Sequence, residues 1–149
     1  FNPDPRAHPS VRRRFLAGTT AVASLYHAVE GLRVIKDVGI DAVRADSVAK
    51  TELAIQRADA AGLQLRSPRE EERRSAMVIL EVENAAALCE WLKSRQVYTD
   101  SRQDRYLRMS PFLWNTPEEL DRAFGAIEEA LQQGLHLQTQ LHESGGPVT

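Results

Sequence analysis

Met77-Val78-Ile79-Leu80-Glu81-Val82 is the stretch that decides the fold class, because here a helical chain turns to sheet. The run is apolar and rich in strand-forming residues, so it reads as a strong, largely buried strand. Asn84 follows as a helix cap, with Leu88, Trp91 and Leu92 on the apolar face of the helix it opens. Just upstream, Leu63-Gln64-Leu65 alternates as a half-buried strand does. Ser67-Pro68-Arg69-Glu70-Glu71-Glu72-Arg73-Arg74 lies between the two and reads as a solvated, charged connector. Downstream, residues 97–100 and 106–109 read as two further short strands.

The last helix carries the clearest local signal. Thr116-Pro117-Glu118-Glu119 places a capping hydroxyl, a proline at the first helical position and a glutamate at the third, which is a capping box. Leu120, Phe124, Ile127 and Leu131 then recur at helical spacing, so the helix should run to about residue 133. Residues 134–149 lose the pattern and read as a flexible tail.

Toward the N-terminus the texture is different. Residues 1–20 form a proline-bearing arm that ends in Arg14-Phe15-Leu16-Ala17-Gly18-Thr19-Thr20. Thr19 or Thr20 can cap the helix that follows, which carries Val22, Leu25, Tyr26, Val29, Leu32 and Ile35 in one stripe and stops at Gly39. Residues 40–61 give a second helix, with Val43, Val48 and Ile55 diluted by alanines, and Gly62 ends it. The expected organisation is an arm at 1–20, a connecting helix at 21–39, a small domain at 40–133 and a tail at 134–149. The fold class is α+β: long N-terminal helices, then a small, mainly antiparallel sheet with helices on one face.

Composition narrows the function. The chain has 149 residues, 42% of them hydrophobic and 27% charged, enough for one domain with a core. Its net charge of −2 supplies no basic field for nucleic acid. No apolar run is long enough to span a bilayer. The lone Cys89 excludes an internal disulfide framework and a cysteine zinc cluster. It sits mid-helix beside Leu88 and Trp91 and reads as a structural thiol. His8, His27, His136 and His142 have no metal-ligand spacing, and no phosphate-binding glycine loop is present.

Two segments look purposeful. Gly18-Thr19-Thr20 at a helix start offers free amides and a hydroxyl to an anion such as phosphate, or is an ordinary cap. Arg108 lies in the short apolar strand Tyr106-Leu107-Arg108-Met109, where a guanidinium needs a partner. It can receive a carboxylate bidentately, or pair structurally with Asp100 or Asp104.

The two segments together resemble the C-terminal part of class V aminotransferases, pyridoxal-phosphate enzymes of fold type I that include kynureninases and cysteine desulfurases. Residues 14–19 are similar to the segment before the long helix in that group, the kynureninases above all. Leu107-Arg108-Met109-Ser110-Pro111, followed by Trp114-Asn115-Thr116, is similar to the group's Leu-Arg-x-Ser-Pro…aromatic-Asn-Thr pattern. The resemblance runs in order over about residues 12–131. It implies that Gly18 and Thr19 contact the phosphate of pyridoxal 5'-phosphate, across a homodimer interface, and that Arg108 binds the α-carboxylate of an amino-acid substrate. Asp100 and Arg102 match the family's Asp-x-Arg and are taken as structural.

The resemblance also implies a large N-terminal domain, preceding Phe1, that carries the Schiff-base lysine. Lys36, Lys50 and Lys93 match no such motif, so this chain alone is expected to be inactive, and a cytoplasmic location is expected. Thr20 stands where kynureninases tend to have proline, and the Ser-Pro after Arg108 leans toward aminotransferases, which leaves the reaction type open. The alternative is a stand-alone ferredoxin-like module that binds a small molecule or a protein.

Overall fold

The computed structural model describes residues 21–138. The chain divides into two compact units, one up to Ile40 and one from Asp41 onward, and each is described by itself.

The first unit holds helix α1, Val22–Val38. Gly39 ends it at a φ of +88°, a conformation that favours glycine, and donates its N–H to the Ile35 carbonyl at 2.9 Å. The N-cap is Ala21, with no side-chain cap, where the sequence favours a threonine. Thr19 and Thr20 lie outside the described residues, as do the rest of the 1–20 arm and residues 139–149. None of the α1 residues is buried, and Leu25, Tyr26 and Leu32 stand exposed.

Helix α2, Ile40–Ala60, runs on into the second unit. Its buried positions are Ser47, Lys50, Thr51, Ala54, Ile55 and Ala58. Val43 and Val48 are only half-buried, so the face that packs is the one with small and polar side chains. Small residues let a helix lie close, and a polar one bonds within the helix: Thr51 Oγ1 donates to the Ser47 carbonyl at 2.8 Å. Gly62, at a φ of +68°, ends the helix.

Four strands follow: β1 Gln64–Leu65, β2 Val78–Glu81, β3 Asp100–Arg102 and β4 Tyr106–Met109. They form one antiparallel sheet in the order β1-β2-β4-β3. Helix α3, Ala85–Ser94, lies between β2 and β3, and α4, Pro117–Gln132, follows β4. The core sits on one face of the sheet, where Val78, Leu80, Leu107 and Met109 meet Leu88 and Leu92 of α3 and Phe124 and Ile127 of α4. This is the α+β class the pattern predicts.

Local differences have physical reasons. The third strand begins at Asp100 and not at Val97, which is instead a core residue before it. Asn84 is the N-cap of α3 but makes no side-chain cap; its φ of +50° marks it as a turn residue. The capping oxygen comes from Asp104, whose Oδ1 accepts from Ala86 N at 2.9 Å. The capping box of α4 forms as read, with Glu119 N donating to Thr116 Oγ1 at 3.2 Å and Thr116 N to Glu119 Oε2 at 3.1 Å.

The charged connector is not simply solvated. It contains a 3-10 turn, Glu71–Arg73, and ends in Arg74, which is 5% exposed. Arg74 donates to Thr51 Oγ1 at 3.1 Å, to Glu52 Oε2 at 3.2 Å and to the Arg69 carbonyl, so it lashes the connector to α2. Beyond α4, Leu135–Gln138 make a further short helix, α5, packed against α3 and α4 where the sequence pattern fades. Its His136 is buried, with Nδ1 3.4 Å from the Ala130 carbonyl.

Candidate functional site

Strand alternation sorts side chains onto two faces, and the face away from the core carries the charge. On β4, Leu107 and Met109 point into the core, which leaves Tyr106 and Arg108 on the opposite side. The register places Ile79 beside Arg108 on β2 and Asp100 beside it on β3. Arg66, Arg102, Arg105, Ile79, Tyr106 and Arg108 line a shallow pocket of about 520 Å³ on this face.

Two carboxylates organise the four guanidiniums. Glu81 pairs with both Arg66 and Arg105. Burial pushes its carboxyl up, but the bonds from Arg105 and Arg66 overcome this and hold it below the usual range. Asp100 takes the other two: Oδ2 accepts from Arg108 Nη2, and Oδ1 accepts from Arg102 Nη1 at 2.8 Å. The Arg108 bond is the chief cause that holds the Asp100 carboxyl below its ordinary value, with the charge of Arg102 assisting against desolvation. Four cations against two anions leave the face positive.

Arg108 is therefore paired with Asp100, not with Asp104, which caps α3 instead. Its side chain is 26% exposed, and its Nε is buried with no hydrogen-bond partner among the described residues. A buried N–H without an acceptor is uncommon, because buried polar groups are normally paired. Gly18 and Thr19, the phosphate-side candidates, lie outside the described residues.

Directly after Arg108, the loop Ser110-Pro111-Phe112 is tied down from α2. Lys50, only 7% exposed, donates to Asp46 Oδ2 at 2.7 Å and to the Phe112 carbonyl at 2.8 Å. Lys50, Arg66 and Arg105 draw no notice in the sequence as site residues, and Arg102 is singled out there only as a structural residue. Period-2 alternation along β2 and β4 would have grouped part of this face, but only the strand register shows which residues meet.

Cys89 is not among the residues that line this pocket. Cys89 is half-buried, accepts from Thr99 Oγ1 at 3.3 Å, and has its thiol pushed up by burial. Among the described residues no cluster of His, Cys, Asp or Glu could hold a metal ion, and no helix is long and apolar enough to cross a membrane.

The chain and its architecture have relatives. Residues 43–127, more than half of the chain, match the family described as Kynureninase C-terminal domain. The chain belongs to that family. The matched region begins in α2 and ends in α4, so it contains the whole sheet and the Arg108 pocket.

Individual members agree with the assignment. The kynureninase of Pseudomonas fluorescens is 33% identical over 147 residues, which cover 94% of this chain and 35% of that protein. An uncharacterized aminotransferase, YcbU, of Bacillus subtilis (strain 168) is 30% identical over 130 residues, 87% of this chain and 34% of that protein. The kynureninase of Bacillus anthracis is 32% identical over 108 residues, 69% of this chain and 25% of that protein.

The chain thus spans about a quarter to a third of the curated relatives it matches. Among solved structures, an apo cysteine desulfurase from Thermococcus onnurineus NA1 superimposes with a TM-score of 0.72 at 18% identity, over 80% of this chain and 34% of that one. The fold is that of the C-terminal small domain of fold type I enzymes. This is the class V relationship that Leu107-Arg108-Met109-Ser110-Pro111 and Trp114-Asn115-Thr116 suggest.

Proposed function

We propose that this kynureninase-family domain supplies the carboxylate receptor of a pyridoxal-phosphate enzyme that acts on an amino acid, and that Arg108 is that receptor. The observation that carries the proposal is the Arg108 guanidinium. It stands on the open sheet face, in a positive pocket, with a buried Nε that none of the described residues satisfies. When bound, pyridoxal phosphate supplies an electron sink for charge that develops at the α-carbon of the amino acid. Arg108 would hold the α-carboxylate and so select which α-carbon bond is presented for cleavage.

The described residues fit the substrate side of such a site and not the covalent anchor of the cofactor. Lys36 and Lys93 lie on exposed helix surfaces, and the Lys50 ammonium is engaged by Asp46 and the Phe112 carbonyl. Activity therefore requires chain beyond these residues, and the domain alone would be inactive. Gly18 and Thr19 keep their proposed place on the cofactor phosphate, in a homodimer, on the strength of the family motif.

Arg108→Ala in the full-length enzyme tests the proposal. Loss of the charge-assisted pair should weaken amino-acid affinity about 10- to 100-fold while the cofactor stays bound. Amino-acid affinity equal to that of the wild type would remove Arg108 from the site.

A further inference from the structure

Resting on Arg108 as the carboxylate receptor, we propose that Asp100 is an internal stand-in for the substrate. Its carboxylate occupies Arg108 until the α-carboxylate of the amino acid takes its place. The two groups are chemically alike, and Asp100 faces Arg108 directly across the β3–β4 ladder. β3 is an edge strand, so the Asp100 side chain can turn without disturbing the interior of the sheet.

The hold is one-sided. Asp100 engages Arg108 only at Nη2, through Oδ2, and Nε is left without an acceptor among the described residues. A ligand carboxylate that meets a guanidinium with both oxygens makes two parallel charge-assisted bonds where Asp100 makes one. The exchange therefore replaces one charge-assisted bond with two.

Asp100 also has somewhere to go. Its Oδ1 already accepts from Arg102 Nη1 at 2.8 Å, and the Arg102 side chain is 59% exposed. Released from Arg108, Asp100 stays neutralised by Arg102, and its side chain, already 46% exposed, meets water at little desolvation cost. No proton moves, because both carboxylates are ionised throughout. Asp100, which the sequence presents as a structural residue, thus becomes a positioning residue that sets how readily Arg108 accepts substrate.

The test measures equilibrium binding by calorimetry in the full-length, cofactor-loaded protein. The probes are L-alanine, acetate, which keeps only the carboxylate, and ethylamine, which lacks it. Asp100→Asn keeps the shape and removes the competing charge, so L-alanine and acetate should bind about two- to fivefold more tightly. Ethylamine should bind wild type and variant alike. Unchanged or weakened acetate binding would overturn the proposal, and so would an equal gain for ethylamine. Asp100→Ser must shift acetate in the same direction, which covers the case in which the Asn variant folds poorly. Arg108→Ala separates the two levels: if it leaves acetate affinity intact, the receptor itself is misassigned. If it abolishes acetate binding while Asp100→Asn gains nothing, only the stand-in fails.

Discussion

Lys50 shows how a residue gains meaning only from its neighbours. In the sequence it is one lysine on an alanine-rich helix, and nothing in its spacing distinguishes it from Lys36 or Lys93. In the fold it is buried and donates to the Phe112 carbonyl, 62 residues away in the chain and four residues past Arg108. The loop that follows the proposed carboxylate receptor is therefore held from α2. Lys50→Met keeps the length of the side chain and deletes both bonds, so unfolding free energy should fall by about 1–3 kcal/mol. A urea midpoint equal to that of the wild type would show that the bond to Phe112 carries no weight.

Elements are capped here by two different routes, and only one can be read in advance. The Thr116–Glu119 box is local, with all its partners within four residues, so the sequence announces it. The cap of α3 is not local. Asn84 occupies the expected position but contributes a left-handed backbone, while Asp104, in the β3–β4 turn, provides the oxygen that accepts from Ala86 N.

Two substitutions separate these roles. Asp104→Ala should destabilise by about 1 kcal/mol, the usual cost of a lost cap, and the effect should appear in thermal melts as a lower midpoint. Asn84→Gly should be near neutral, because glycine accepts a φ of +50° without strain. A large loss for Asn84→Gly with none for Asp104→Ala would reverse the assignment.

At the scale of the whole molecule, paired carboxylates link elements of the second unit and should make it sensitive to acid. Asp121 is held below its ordinary range by the bond from Arg57 across α2 and α4. Asp59 is lowered by Arg69, Asp100 by Arg108, and Glu119 by Asn115 and then the Thr116 amide. A carboxyl with a lowered folded value is protonated more readily in the unfolded chain. Its contribution is therefore complete above about pH 5 and is lost as pH falls through the folded values. The urea midpoint should be flat from pH 7 to 5 and drop by pH 3. A midpoint that holds at pH 3 would mean that these exposed pairs add nothing.

Sequence alone determined what depends on near neighbours: helices α1 to α4, the strands at 78–81 and 106–109, the α4 capping box and the α+β order, but not the short helix α5. These follow from side-chain periodicity and local hydrogen bonding, which act within a few residues. The family motif also drew attention to Arg108 from sequence. Tertiary structure decided what strand register and long-range contact control. It chose Asp100 over Asp104 as the partner of Arg108, gathered Arg66, Arg102 and Arg105 around it, buried Arg74, and turned a polar face of α2 inward. Charges separated by tens of residues meet only when the sheet closes, because a one-residue shift in register would send each of them to the other face.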